Sequence, residues 1–317
     1  MSENVEKNRE AELWLRAKES DGIGRAESYH ELSKIEYERE NFSDALSMCL
    51  VAKEIYESTN ANDYSREILD LYEGMANIYE GLKECETAEK TLQDAVALAR
   101  QNDARNLGDL LRALGRMYFD HEKWEESIAA HLEANRIPAI DDYEIKTRAI
   151  DYLNIGMAYF RQDDFAEAVQ NERKAMEMFT EEKAAPPWII NTHAELAASY
   201  AGLEKPDQVL FHAQIALDWF ETEGEHRQVW AMKFYKGVAY RLKGDYETAL
   251  ELLKQARKLA KRYSKTFNVF AAEIDKEIGE IYISHGKVNQ GLELVRRAES
   301  VQKSIDRDHP TELSEAV

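Results

Sequence analysis

Apolar residues recur at helical spacing along most of the chain, in blocks separated by short polar turns such as Gln162-Asp163-Asp164 and Lys243-Gly244-Asp245. The blocks repeat. The segment beginning at Asp151 carries Gly156, Tyr159, Phe165, Ala168 and Ala175, and a later segment carries Gly237, Tyr240, Tyr246, Ala249 and Ala256 at the same offsets. The same ruler fits seven times, with Ser33, Ala76, Gly115, Gly156, Ala197, Gly237 and Gly279 in the small-residue slot, 39 to 43 residues apart.

The other slots test the register. Three residues on stand Tyr79, Tyr118, Tyr159, Tyr200, Tyr240 and Tyr282, with Glu36 the one exception, although tyrosine is only 16 of 317 residues. The last alanine slot is filled in every copy, by Ala52, Ala95, Ala134, Ala175, Ala216, Ala256 and Ala298. The turn slot is looser, holding Phe42, Cys85, Trp124, Phe165, Pro206, Tyr246 and Val288. Each copy therefore predicts an antiparallel helix pair. Small residues in the first helix, and Ala45, Ala88, Ser127, Ala168 and Ala249 in the second, let the two backbones approach closely. A single pair cannot bury its own apolar faces, so the pairs must stack.

This pattern resembles the tetratricopeptide repeat (TPR) family over roughly residues 25 to 303, with units longer than the usual ~34 residues. TPR arrays with long units include kinesin light chains, Leu-Gly-Asn-type adaptors and Rap-type peptide-regulated proteins, and the slots do not choose among them. The resemblance implies an all-α, right-handed α-solenoid of seven antiparallel helix pairs. A stretch at residues 3 to 19, with Ala11, Trp14 and Leu15 on one side, reads as a capping helix. The expected organisation is a capping segment over 1–24, a single repeat domain over 25–305 with the Glu181–Pro187 connection as an inter-repeat loop, and a polar tail over 306–317.

Composition narrows the function. There are 41 basic and 61 acidic residues, a net charge of −20, which disfavours nucleic acid as a partner. No apolar run is long enough to span a bilayer and no apolar signal core opens the chain, so a cytoplasmic protein without a membrane partner is expected. Cys49 and Cys85 cannot form a disulfide framework, and both read as packing residues. The eight histidines show no metal-ligand spacing, and no phosphate loop or nucleophile motif occurs. No enzyme, cofactor or metal site is expected.

The resemblance implies that first helices line a concave groove. Residues six and three before the small slot, and one and four after it, share one helix face there. Read off the sequence, this stripe concentrates positive charge and apolar anchors at Arg112, Arg116, Phe119, Leu153, Met157, Phe160, Phe234, Val238 and Arg241, with Arg161 adjoining, while the seventh unit offers Glu273, Lys276, Glu280 and Ile283. Such arginines would dock a protein or peptide carrying acidic and apolar groups. The competing reading is that the patch packs against its own neighbouring units or takes up the tail. The leading function is a non-enzymatic scaffold that captures a partner segment; the alternative is a Rap-type peptide-sensing receptor that switches an effector. Rap-type proteins place a helical bundle before their repeats, and only one helix fits here. Self-association through the end repeats is a further expectation.

Overall fold

A computed structural model of the protein describes residues 2–60, 65–101, 106–137, 142–181, 183–263 and 267–308. All regular structure among them is α-helical. A leading helix, α1 (Ser2–Glu19), precedes seven pairs, one for each copy of the repeat. These are α2 (Ile23–Glu38) with α3 (Phe42–Asn60), α4 (Ser65–Gly81) with α5 (Cys85–Gln101), α6 (Leu107–Asp120) with α7 (Trp124–Arg136), and α8 (Asp142–Arg161) with α9 (Phe165–Glu181). They continue as α10 (Pro186–Gly202) with α11 (Pro206–Glu223), α12 (His226–Leu242) with α13 (Tyr246–Tyr263), and α14 (Phe267–Ser284) with α15 (Val288–Asp308). The last helix runs three residues beyond the expected boundary at 305, and residues 309–317 of the expected tail lie outside the described residues.

One local device closes every pair. The residue seven positions after the small slot has a positive φ, between 53° and 80°: Glu40, Lys83, Glu122, Asp163, Glu204, Gly244 and Gly286. The next amide then reaches back to the carbonyl of the tyrosine slot, as Asp245 N–H does to Tyr240 O at 2.9 Å, Asp164 to Tyr159 at 2.9 Å and Lys287 to Tyr282 at 2.9 Å. This is the Schellman ending, which satisfies carbonyls that the helix terminus would leave unpaired. Only Gly244 and Gly286 adopt it without a Cβ penalty; elsewhere a non-glycine residue accepts strain of roughly 1–2 kcal/mol. The turn also caps the following helix, for Asp245 accepts from the Thr248 amide at 3.2 Å at the start of α13.

Packing follows the slots. Ala45, Ala88, Ser127, Ala168 and Ala249 have no solvent-accessible surface, and the last alanine slot is buried in all seven pairs. The six tyrosines of the tyrosine slot are half-buried. Cys49 is buried as expected of a packing residue, whereas Cys85, at the start of α5, is exposed and packs into no core.

The helices gather into two compact units, Met1–Tyr118 with Ala129–Ile137, and Phe119–Ile128 with Pro138–Val317. The division falls within α6 and α7 rather than at the Glu181–Pro187 connection, which belongs wholly to the second unit. In the first unit, one core joins Ala26, Cys49, Tyr56, Ile68 and Leu71, and another joins Leu92, Val96, Leu110, Leu111 and Leu114. α1 packs on α2 through buried Ala17, the edge of Trp14 against Tyr29, and ion pairs of Arg9 with Glu31, Arg16 with Glu27 and Glu10 with Arg39. Leu15 does not join this contact; it is 55% exposed. In the second unit, cores form around Leu153 and Phe179, around Leu217 and Phe220, and around Leu253, Ile274 and Ile281.

Candidate binding site on the first helices of the second unit

The first helices of the second unit, α8, α10, α12 and α14, line a cavity of about 310 Å³, room enough for one or two side chains of a ligand. Its walls are aromatic, with Phe160, Phe234, Tyr235 and Phe270 contributed by α8, α12 and α14, and Phe165 by the start of α9. Ala198, Ala201 and Gly202 of α10 keep the space open because they carry almost no side chain. Phe160 meets Phe165 edge-on at 5.5 Å between ring centroids, which holds that wall rigidly.

The charges in and around the cavity are unevenly satisfied. Arg241 of α12 is held by α14: its Nε donates to Glu277 at 2.5 Å, and its Nη1 lies 3.3 Å from Glu280. Arg161 lies over the ring of Phe119, 6.0 Å from its centroid. Glu195 of α10 and Glu273 of α14 make no ion pair or hydrogen bond among the described residues. Burial pushes the Glu195 carboxyl up to about 7 against the opposing charge of Arg161. Glu273 keeps an exposed surface, yet the protein walls around it also raise its carboxyl, again opposed by Arg161. Glu277 is raised by burial despite Arg241. Behind them, fully buried Glu172 of α9 accepts the Ser199 hydroxyl at 2.7 Å, while its Oε2 has no partner. Burial, reinforced by Glu195, lifts its carboxyl to about 8. The Tyr235 hydroxyl is pushed above the ordinary phenol range by burial and then by Glu273 and Glu195.

The ten residues read from the sequence separate in space and in role. Phe160, Arg161, Phe234, Val238 and Arg241 come together on the cavity. Leu153 does not belong with them: it is 5% exposed and packs with Ala149, Ala175 and Phe179 in the core, because the stripe at α8 turns inward there. Met157 leans on the same core. Phe119 packs edge-on against Trp124 at 5.0 Å and under Arg161. Arg112 and Arg116 belong to the first unit, where Arg112 folds onto Asp109 at 3.1 Å and exposed Arg116 stands 3.9 Å from Glu73. Arg112, Arg116 and Arg241 each face a carboxylate of their own chain.

Glu195, Tyr235 and Glu277 were not legible as site residues. All three stand two positions before the small slot, and Arg161 stands five after it, so they share a parallel stripe at seven-residue spacing, of which Arg161, Tyr235 and Glu277 line the cavity. Reading two adjacent stripes instead of one would have found them. Elsewhere in the unit, His193 and His212 share a hydrogen bond between their Nδ1 atoms at 2.8 Å, with Tyr200 stacked on His212. Among the described residues, no three His, Cys, Asp or Glu side chains are grouped to hold a metal, and no helix is long and apolar enough to cross a membrane.

The Tetratricopeptide repeat family profile matches residues 152–182, the end of α8 and all of α9. No curated protein sequence matches the chain. Among solved structures, the apo form of RapI is 16% identical with a TM-score of 0.66, over 89% of this chain and 99% of that one. The apo form of the quorum sensor NprR from B. thuringiensis is 13% identical with a TM-score of 0.66, over 94% of this chain and 82% of that one. The Rap conjugation gene regulator of the plasmid pLS20, in complex with the Phr* peptide, is 15% identical with a TM-score of 0.50, over 91% and 76% of the two chains. These likenesses are of fold. The matched repeat and the seven helix pairs closed by one turn device resemble tetratricopeptide repeats, and the fold is similar to that of RapI and NprR.

Proposed function

We propose that the protein is a non-enzymatic binding module that captures a peptide or an extended segment of a partner protein in the cavity between α8, α10, α12 and α14. The observation that carries this reading is the cavity itself: aromatic walls, small residues opposite them, and charged side chains that could fix an orientation, without a nucleophile–base pair aimed into it. Panning a random peptide library on the intact protein and on Ala201→Trp tests it. The tryptophan fills the cavity from an already helical, half-buried position. Peptides enriched on the parent and lost on the variant, at unchanged helicity, are the expected outcome; no enrichment, or equal enrichment on both, overturns it.

A second reading, a peptide-sensing regulator, is supported by the fold shared with the quorum sensor NprR and with a Rap regulator solved in complex with a peptide. It requires that an enriched peptide change the protein's protease susceptibility or its scattering profile. Simple capture requires neither.

A further inference from the structure

We propose that the outward face of α13 is a second docking surface, built for an acidic helix of a partner protein. It is separate from the cavity described above, to which α13 contributes no residue.

α13 buries Ala249, Leu253, Ala256 and Ala260 on one side, and helical spacing puts Lys254, Lys258 and Lys261 opposite them, at i, i+4 and i+7. All three lysines are exposed, and none has an ion-pair or hydrogen-bond partner among the described residues. Carboxylates close by are turned to other groups. Glu251, one turn before Lys254, accepts from the Gln255 amide at 3.1 Å, and Asp275 of α14 is taken by Arg257 at 2.8 Å. Exposed cations elsewhere do find acids of their own chain, as Arg39 finds Glu10 and Lys243 finds Asp207, both at 2.6 Å. The preceding second helix differs in sign: α11 carries Asp207, Asp218, Glu221 and Glu223, with no lysine or arginine.

Helix stability accounts for only part of this column. Lys261 and Arg262 lie in the last turn, where cations complement the helix dipole. Lys254 and Lys258 stand before that turn, and like charges four residues apart repel along a helix. In a chain of net charge −20 the column is a local reversal of sign, which steers an anionic group to one place. From Lys254 to Lys261 it extends about 10 Å along the axis, a length that a facing helix matches with glutamates at the same three- and four-residue steps. Each contact would be exposed, so several must act together and salt must weaken them. A bilayer suits this face poorly, since no exposed large apolar side chain of α13 is there to insert. Duplex nucleic acid would bring its phosphates against an otherwise acidic protein, and a second copy would bring another charge of −20.

Two fluorescein-labelled, alanine-based helical peptides of identical composition test this by anisotropy with the full chain at 150 mM salt. One carries four glutamates on a single face at i, i+4, i+7 and i+11; its isomer has them spread round the helix. The striped peptide should bind at least fivefold more tightly than the isomer, and more weakly as salt rises. Lys254→Gln/Lys258→Gln/Lys261→Gln, which keeps similar helix propensity, should weaken it at least tenfold at unchanged circular dichroism. Lys258→Glu alone should weaken it at least threefold, and Ala201→Trp, which fills the cavity, should leave it unchanged. No binding of the striped peptide, equal binding of the two isomers, or full binding by the lysine variants overturns the proposal. Tighter binding of a DNA duplex or of phosphatidylserine vesicles than of the striped peptide overturns it in favour of that occupant. So does sedimentation showing a parent dimer that the triple variant lacks, which assigns the face to a second copy. Loss of the striped peptide in Ala201→Trp would place its site in the cavity and overturn the proposal, whereas failure of the library experiment on the cavity leaves this surface standing.

Discussion

Ser199 of α10 donates its hydroxyl to Glu172 of α9 across 2.7 Å, and neither residue retains any solvent-accessible surface. A single neutral donor does not offset the cost of burying a carboxylate, and the second oxygen is unpartnered. The contact is therefore best satisfied by the protonated acid, and this joins the packing of α8, α9 and α10 to pH.

The sign follows from which state holds the proton. Glu172 is raised from 4.5 to about 8 and Glu195 to about 7, so between these limits the folded chain keeps protons that the unfolded chain has released. Stability then falls as pH rises through that window. Glu172→Gln should melt higher than the parent at pH 8.5 and nearly with it at pH 5, measured by circular dichroism. A parent and variant with the same pH slope would show that the buried acid is not the source.

Histidines act in the opposite direction. Burial, with Lys34 nearby, lowers His30 to about 4, and burial with His193 and Arg173 does the same to His212. Between about 4 and 6.5 the unfolded histidines take up protons and the folded ones do not, so stability falls as pH drops through this range. His30→Gln should flatten the loss of melting temperature between pH 6.5 and 4.5. An unchanged slope would remove His30 from the account.

Three glycines in helix interiors separate packing from propensity. A Cβ at Gly156 would lie 2.7 Å from Glu172 Cγ and 3.2 Å from the Ala168 carbonyl, and one at Gly237 would lie 2.8 Å from Leu253 Cγ. Gly156→Leu and Gly237→Leu should each destabilise by roughly 1–3 kcal/mol through overpacking. A Cβ at Gly74 of α4 meets nothing within 4 Å, so Gly74→Ala should stabilise by about 0.4–1 kcal/mol. Denaturant melts resolve the contrast, and equal effects at all three positions would reject the repeat register.

Arginines of the stripe should differ as their partners do. Arg241 is largely buried with Glu277, and removing it leaves Glu277 and Glu280 together without a cation. Arg241→Ala should cost on the order of 1.5–3 kcal/mol. Arg116 is mostly exposed and 3.9 Å from Glu73, so Arg116→Ala should cost about 0.5 kcal/mol or less. Chemical denaturation of the two variants side by side is the check; similar losses would contradict the burial of the Arg241 cluster.

Helix pairing, pair number and the position of each turn could be read in the residues alone. A small residue such as Gly156 or Ala197 recurs wherever two backbones touch, and each turn falls at a constant distance from it, so a local and periodic constraint leaves a periodic trace. Even the left-handed turn residue keeps that distance, although Glu40, Lys83 and Asp163 hide it behind side chains that do not announce positive φ. The charge state of the candidate site left no such trace. Whether Arg241 is free to bind a partner depends on Glu277, 36 residues away on another helix, and whether Leu153 is a surface anchor depends on how far α8 rotates toward Phe179. Ion pairing and helix rotation are set by contacts between repeats. Periodicity within one helix determined the scaffold, and only the packing of one helix on the next decided which of its side chains remain unsatisfied.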